Sequence, residues 1–308
     1  MHPFLEPQVK QYGSNMVMTG VQKLTKKKIL NIDTRFTNEY TYPKAGFNTI
    51  ENYVVTLPER VTEVHSIRVK SVEIPMSFYT FSVSMGNNAF RCINTATHAS
   101  SVCVLPDSNL TSVTDLVVAV NQQLLASPVS NNLQLVADAN GNMHFVNNAL
   151  STVYDIDFAV DACGNSDKYN FRSKLGWAMG FRDPSYILVN NNTKWLYPES
   201  VPNFNTVRYM YLVVDEYSNA FPNSFLAPLH QCLMNKKILA RICLYATHYP
   251  FGTILYGNEP NGVLVSDVRT YQGKIDIQKL NVQLVNEWGM PMNLNGLDFS
   301  FALEIEHE

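Results

Sequence analysis

The sequence predicts an all-β fold built as an antiparallel β-sandwich, and three observations support this fold class. Apolar residues alternate with polar ones at a period of two in many short segments, as half-buried strands require. Two further segments are nearly continuous apolar runs, which is typical of strands covered on both faces. Clusters of Gly, Pro and Asn separate the segments, a spacing typical of sandwiches and jelly rolls.

Size and composition agree with a large folded unit. The chain has 308 residues, of which 46% are hydrophobic and 16% are charged. This length and apolar content can bury a sizeable core as one large β domain or two smaller ones. The charged fraction is below the roughly 25% of typical domains, so we expect partners to bury part of the surface.

Net charge and cysteine usage argue against several classes of function. The formal net charge is -3, so the chain as a whole does not attract nucleic acid or anionic lipid. The five cysteines stand singly, without a C-x-x-C pair, and we expect mostly free, buried thiols. We find no signal-peptide pattern and no run of about 18 apolar residues that could cross a membrane.

The N-terminal part changes character near residue 29. Residues 1–28 are polar and irregular, and we expect them to form an extended arm. One strand pattern begins near Leu30, and a second covers Tyr53 to Leu57, where Pro58 is expected to end it.

Two strands shift their apolar phase, which predicts β-bulges. Ile67 and Val69 share one face of a strand, but the phase slips by one at Ser71-Val72. A similar slip falls between Ile277 and Leu280. Barrel-like sheets use such bulges to turn corners.

The clearest strand patterns lie in the C-terminal half. The continuous apolar runs, at residues 209–214 and 238–244, should be central in a sheet. Shorter strands are expected at 89–93 and 263–268. In the last strand, Leu297 and every second residue as far as Ile305 should face the core.

One segment predicts a helix within the β chain. Ser112 and Asp115 resemble a capping box, and apolar residues recur at helical spacing as far as Pro128, so residues 112–126 should be helical. Residues 133–146 predict a hairpin around an Asn-Gly turn. We therefore divide the chain into a single jelly roll (29–99 and 183–308), an inserted α+β helix-plus-hairpin subdomain (100–182) and the N-terminal arm.

No catalytic, cofactor-binding or metal-binding motif is found. The seven histidines lie far apart, and phosphate-binding loops and nucleophile elbows are absent from the sequence. We interpret the acidic residues at 155, 157 and 161 as a solvated edge because they lack the Gly and Glu of a calcium loop. Asp215 and Glu216 should point to opposite faces of a strand, so they cannot easily share a substrate. We predict a protein that is not an enzyme and has no cofactor.

The densest basic run is a candidate interaction site. It consists of Lys26, Lys27 and Lys28. A solvated turn is the favoured interpretation, and a phosphate-binding arm is the alternative.

A second candidate is an aromatic segment with interleaved basic residues. Its key members are Trp177, Phe181, Arg182 and Trp195. Such a set could stack on nucleic acid or sugar. Core packing is favoured because apolar residues run through the same stretch, and a protein interface is the next choice.

Short segments taken in order along the chain carry a resemblance to a known family. They are Leu30–Phe36, Tyr53–Pro58, Val69–Pro75, Ser77–Phe81, Leu175–Arg182, Tyr209–Asp215, Ile275–Leu280 and Asp298–Glu304. In this order they resemble the jelly-roll penton and minor capsid proteins of nucleocytoplasmic large DNA viruses, including chlorella viruses and mimivirus relatives.

The resemblance implies a structural virion protein and no catalysis. It implies a capsid vertex (penton) subunit, assembled in the host cytoplasm as a homopentamer, whose partners are major capsid protein capsomers and other minor capsid proteins. No specific nucleic acid is expected, and the insertion, projecting outward, is the place for a host glycan.

Two alternatives stay open at this point. The first is a minor capsid protein under or between major capsomers. The second is a carbohydrate-binding jelly-roll module, because exposed aromatic rings can stack on sugar rings. A jelly-roll enzyme of the cupin or glycosidase type would need clustered histidines or paired carboxylates, which the sequence does not offer.

Overall fold

The computed structural model describes residues 24–36, 52–167, 170–189, 195–218, 237–244 and 249–308. Within these residues the elements, in chain order, are β1 (Lys26–Asp33), β2 (Asn52–Pro75), β3 (Ala89–Asn94), β4 (Ser100–Val104), α1 (Val113–Ala126), β5 (Leu133–Ala137), β6 (Met143–Asn147), β7 (Tyr154–Asp157), α2 (Leu175–Met179), β8 (Ser185–Leu188), β9 (Trp195–Leu196), β10 (Tyr209–Asp215), β11 (Ile238–Cys243), β12 (Ile254–Asn258), β13 (Leu264–Ser266), β14 (Arg269–Asn286) and β15 (Ser300–His307). Short 3-10 turns lie at Thr34–Phe36 and Phe171–Ser173. The predicted all-β sandwich of the jelly-roll type is confirmed.

The sandwich is one sheet that passes from layer to layer. Its strands follow the order β1-β15-β2-β14-β10-β11-β13, and β12 pairs with β2 off this path. The first half of β2 pairs with β14, whereas the second half pairs with β15 and β12, all antiparallel. The 24-residue β2 therefore belongs to both layers.

The prediction that Pro58 ends a strand is wrong, because β2 continues through it. The register between β2 and β14 shifts between Ile277 and Lys279, and the residues that it skips include Pro58. Proline has no N–H to donate, so it is tolerated where the ladder is interrupted. Gln278 donates from Nε2 to the Leu57 carbonyl oxygen at 2.8 Å within this gap.

Both predicted bulges are present. The register between β15 and β2 passes over Lys70, one residue before the predicted slip. As a result, Val69 and Val72 both face the core. The second bulge is the shift that follows Ile277 in β14.

One hydrophobic core fills the space between the layers. One side comes from β1, β15 and the second half of β2, and the other from β10, β11 and β14. Phe301, Leu303 and Ile305 of β15 alternate inward as predicted, and each is almost completely buried. The predicted central position of residues 209–214 is also confirmed, because β10 lies between β14 and β11.

Leu297 departs from the expected alternation. It lies before the start of β15 and is 50% exposed. Asn295 and Gly296 have φ angles of 54° and 78°, so the backbone turns just before Leu297. The extended geometry that alternation requires therefore begins only after this turn.

A second unit with its own core is inserted between β2 and β10. It contains the sheets β4-β3-β7-β8 and β5-β6-β9 and both helices. Phe81, Phe90, Phe158 and Leu188 belong to one buried cluster with residues of α1 and α2. This unit is larger than the predicted 100–182, because β3, β8 and β9 supply strands to its sheets. The strand expected at 89–93 thus lies here and not in the jelly roll.

The predicted helix and hairpin are confirmed within this unit. The Ser112 hydroxyl accepts a hydrogen bond from the Asp115 backbone N–H at 3.1 Å at the start of α1. β5 and β6 pair around a turn in which Gly141 has a φ of 80°. Gly176 in α2 is also required, since a side chain there would overlap the ring of Phe158.

Most of the predicted arm lies outside the described residues, which begin at residue 24. The thiols of Cys92, Cys103, Cys163 and Cys243 are free. Cys163 is exposed, whereas Cys92 and Cys103 are buried. Cys232 also lies outside the described residues.

Candidate interaction surfaces

A hollow of about 490 Å³, here called the end hollow, lies where the end of β1, the second half of β2 and the start of β15 meet the segment before β12. Thr34 ties these parts together. Its hydroxyl donates to Asp298 at 2.7 Å and accepts from the Phe299 N–H at 3.0 Å, and its own N–H donates to the Phe299 carbonyl oxygen at 3.1 Å. The 3-10 turn after β1 is therefore fixed against the segment that leads into β15.

Asp33 and Arg35 form a forked ion pair in the end hollow. The Arg35 Nε lies 3.0 Å from both Asp33 carboxylate oxygens, and Nη2 lies 2.6 Å from Oδ2. The hydrogen bond from Arg35 lowers the pKa of Asp33, although burial opposes it, and the same bond raises the pKa of Arg35. The guanidinium also lies 5.5 Å from the centre of the Phe36 ring.

The charged groups that line the end hollow are mainly acidic. The carboxylates of Asp33, Glu73 and Asp298 contribute -3 and Arg35 contributes +1, so the formal charge is -2. Ser300 donates to Glu73 at 2.9 Å. The hollow is therefore complementary to a basic surface.

Exposed apolar side chains lie beside these charges. Ile254 and Leu297 line the end hollow and are 68% and 50% exposed. Phe36 and Phe251, which adjoin lining residues in sequence, are 77% and 54% exposed. Apolar and aromatic side chains grouped with arginine are typical of protein interfaces. The sequence did not single out these residues as an interaction site, because strand periodicity cannot show which apolar positions stay exposed.

The basic run lies on a strand and not on the expected turn. Lys26, Lys27 and Lys28 belong to β1 and pair with the end of β15. Lys28 shares the inward phase of β1 and is half-buried. Lys27 lies 3.5 Å from Glu304, and Lys28 lies 3.5 Å from Glu59. Acidic residues of the same chain therefore partly neutralise the positive charge of this basic run.

Most of the aromatic segment belongs to the second core. Phe181 is fully buried and stacks on Phe158 with ring centres 4.6 Å apart. Trp177 is half-buried, with the guanidinium groups of Arg182 and Arg172 at 4.1 and 5.3 Å from its ring centre. Arg182 also donates to the Trp177 and Phe181 carbonyl oxygens at 3.1 and 3.0 Å. Cations of the chain itself thus lie over Trp177, where a ligand would have to stack.

Trp195 lies apart from this cluster, on the outer face of the β5-β6-β9 sheet. It is 53% exposed, and Tyr197 beside it is 49% exposed. The ring of His144 lies 4.6 Å from that of Tyr197 and 5.8 Å from that of Trp195. The sequence singled out Trp195, but the contribution of His144 depends on strand register and could not be foreseen.

Within the described residues, no group of three or more His, Cys, Asp or Glu side chains is arranged to hold a metal ion. Asp157 pairs with Arg91, and Asp161 accepts from the backbone of its own loop. Asp215 lies 2.8 Å from Lys237, so this carboxylate also has a partner within the chain.

Glu216, the neighbour of Asp215, belongs to a buried network. It lies 2.8 Å from Arg269, which also donates to the carbonyl oxygens of Val214, Lys237 and Ile238. These bonds link β10, β11 and β14.

In the part of the chain that the structure describes, no helix is long and apolar enough to cross a membrane.

Solved structures similar to this chain include that of a viral protein. No protein-family model matches the chain, and no curated protein matches it either. The crystal structure of selenomethionine-labelled mavirus penton protein matches with a TM-score of 0.42 and 9% identity, covering 93% of this chain and 100% of that chain. At this TM-score and identity the similarity carries no argument about what the present chain does.

Proposed function

We propose that the chain is a structural subunit of a virion, placed at the capsid vertex as a homopentamer that contacts neighbouring capsomers. The observation that carries this proposal is the end hollow, where exposed apolar side chains surround an acidic cavity. The resemblance of the ordered sequence segments to penton and minor capsid proteins supplies the biological setting.

In a closed ring of five, every subunit must carry the same pair of complementary surfaces. Cyclic packing of this kind uses heterologous contacts, in which one surface of a subunit meets a different surface of the next. The end hollow supplies one such surface, with Ile254 and Leu297 as apolar contacts and Asp33, Glu73 and Asp298 as groups that select a basic neighbour. Burial of the apolar side chains stabilises the contact by about 25 cal/mol per Å².

The architecture supports a structural role. The long strands β2 and β14 run through a single packed core, so the sandwich forms a rigid body. The inserted unit has a separate core and is available for contacts with capsomers, minor capsid proteins or the exterior.

The first experiment measures the mass of the purified chain by light scattering across a concentration series. We expect a species near five times 34.8 kDa. Ile254→Asp and Leu297→Asp should weaken the assembly at least about tenfold, because each buries a carboxylate in an apolar contact. Val118→Asp and Leu125→Asp, at exposed positions of α1, are the matched controls and should leave the mass unchanged.

The outcomes separate the roles. A pentamer that survives both end-hollow substitutions would show that another surface forms the ring. A chain that stays monomeric but binds purified major capsomers away from vertices would replace the penton role with that of a minor capsid protein. A chain that neither self-assembles nor binds capsomers would overturn the capsid proposal.

A further inference from the structure

The outer face of the β5-β6-β9 sheet carries a small set of side chains, some of them exposed to solvent. Leu135, Phe145 and Leu196 pair across the three strands on the core side. The alternate residues therefore share the opposite side. They are Gln134 and Val136 of β5, His144 and Val146 of β6, and Trp195 with Tyr197 at β9. We call this side the outer aromatic face.

Three rings on the outer aromatic face hold one another in place. His144 is stacked on Tyr197 with an interplanar angle of 30°, whereas Trp195 and Tyr197 are nearly perpendicular at 87°, with ring centres 6.3 Å apart. The two exposed rings therefore form a corner whose shape is set by the histidine. A preformed corner loses little conformational entropy when a ligand binds.

His144 also carries an unmatched polar atom. The residue is only 9% exposed, and within the described residues its Nδ1 has no hydrogen-bond partner. Burial lowers the pKa of His144, so the ring is neutral at neutral pH. A buried polar atom without a partner is costly, and a hydrogen bond from a ligand hydroxyl would remove that cost.

The polar groups beside the rings that the structure describes are amides and a carboxylate. β5, β6 and β9 contain no Lys or Arg, and Lys194, which precedes Trp195 in the sequence, lies outside the described residues. Asp138 at the β5-β6 turn is held by Asn142, whose backbone N–H and side-chain amide donate to it at 2.9 and 3.2 Å. Single-stranded nucleic acid requires a positively charged groove beside its stacking rings, and β5, β6 and β9 supply no cation for such a groove.

The size of the outer aromatic face argues against a protein partner. It consists of six side chains, of which Gln134, Trp195 and Tyr197 are exposed, whereas each side of a stable protein interface uses roughly 20–30 residues. A few aromatic rings with a small number of convergent polar groups are typical of small-ligand sites. A sugar ring matches both the aromatic rings and the polar groups of such a site. Its C–H face packs on an aromatic ring, and its hydroxyls form hydrogen bonds with amides, imidazole and carboxylate.

We propose that the outer aromatic face binds a neutral oligosaccharide, with Trp195 and Tyr197 as stacking platforms and His144 as a polar contact. This site goes beyond the vertex role and does not depend on whether the chain forms a pentamer.

The test uses the full chain on an array of immobilised neutral oligosaccharides: cello-, malto-, chito- and manno-oligosaccharides and galactose-terminated chains. Heparin fragments and oligothymidylate serve as charged probes. We expect retention on at least one neutral class, followed in solution by the change in tryptophan fluorescence. Trp195→Ala and Tyr197→Ala should each weaken that binding at least about tenfold.

Tyr256→Ala is the matched control, since Tyr256 has a similar exposure but lies on β12 of the sandwich. Its binding should equal that of the unaltered chain. Circular dichroism and urea unfolding of each variant separate lost binding from lost fold. The proposal is overturned if no neutral class is retained at millimolar ligand, if the charged probes alone are retained, or if folded Trp195→Ala binds as tightly as the unaltered chain.

Discussion

Asp33 links the geometry of a single turn to the response of the whole chain to pH. It accepts the Arg35 backbone N–H at 3.0 Å in addition to the forked contact with the guanidinium. These bonds lower the pKa of Asp33 below its ordinary value of 3.8. A carboxyl group whose pKa is lower in the folded state stabilises the fold above the unfolded pKa, and this stabilisation is lost as pH falls through the folded pKa.

We expect Asp33→Asn to destabilise the chain by about 1 kcal/mol near neutral pH, because a charge-assisted hydrogen bond is replaced by a weaker one. The difference between variant and unaltered chain should shrink as pH falls below the ordinary aspartate pKa of 3.8. Urea unfolding at a series of pH values measures both effects. Glu259→Gln, on an exposed turn, is the control and should show neither effect. A difference that stays constant down to acid pH would contradict the role assigned to the ion pair.

At the residue scale, the sequence predicted which residue types could form an interaction site better than it predicted which side chains are exposed. Trp195 was identified from its residue type, and its half-exposed position followed only from the register between β9 and β6. Phe181, predicted in the same group, is buried because α2 packs against Phe158. Ile254 could not be placed in an interaction site, because its exposure depends on how the edge strand β12 meets β2.

At the scale of elements, α1 is the clearest case in which local sequence determines structure. Its start is fixed by Ser112, whose hydroxyl accepts from the Asp115 N–H and donates to the Asp115 carboxylate at 2.7 Å. Its inward face packs Leu116, Val120 and Leu124 into the second core. Capping and periodicity are both local, so residues 112–126 could be assigned from the sequence alone.

We expect Ser112→Ala to destabilise the inserted unit by about 1 kcal/mol, since an orphan N–H at the helix start loses its acceptor. The free energy of unfolding from urea titration measures this loss. Thr114→Ala, at an exposed position inside the same helix, is the control and should be neutral or slightly stabilising. An equal loss in both variants would show that the cap contributes nothing specific.

The positions of most strands could be predicted from the sequence, but the strands with which they pair could not. The runs that became β10, β11 and β15 were recognised because burial on one or both faces leaves a local pattern. The assignment of β3 to the second unit could not be recognised, because its partners β4 and β7 are chosen by packing around Phe90 and Phe158. Continuation through Pro58 was missed for a similar reason, since the register shift that accommodates it depends on β14.

At the scale of the whole molecule, the described residues form two large buried clusters, one in the sandwich and one in the inserted unit. The chain leaves the sandwich after β2 and returns before β10. At this junction the Thr206 hydroxyl donates to the Thr80 carbonyl oxygen at 2.9 Å. The outgoing and returning segments therefore lie side by side.

This arrangement predicts that the inserted unit can be removed. Replacement of residues 81–205 by a short Gly/Ser linker should leave a sandwich that unfolds cooperatively, since its core is complete apart from Met85. Loss of that contact should cost about 2–5 kcal/mol. Circular dichroism and urea unfolding provide the measurement, and residues 81–205 expressed alone are the reciprocal control. Loss of cooperative unfolding in the shortened chain would show that the two cores depend on each other.

The junction at Thr80 and Thr206 also bears on how such a chain can change over generations. Substitutions that reshape the inserted unit leave the strands of the sandwich unchanged, because the two units have separate cores. Under the functions proposed above, oligosaccharide binding by the inserted unit and assembly through the sandwich are then under separate selection. Variants of this chain should therefore diverge fastest between these two threonines, and a foreign module grafted at the same junction should be carried on an unchanged frame.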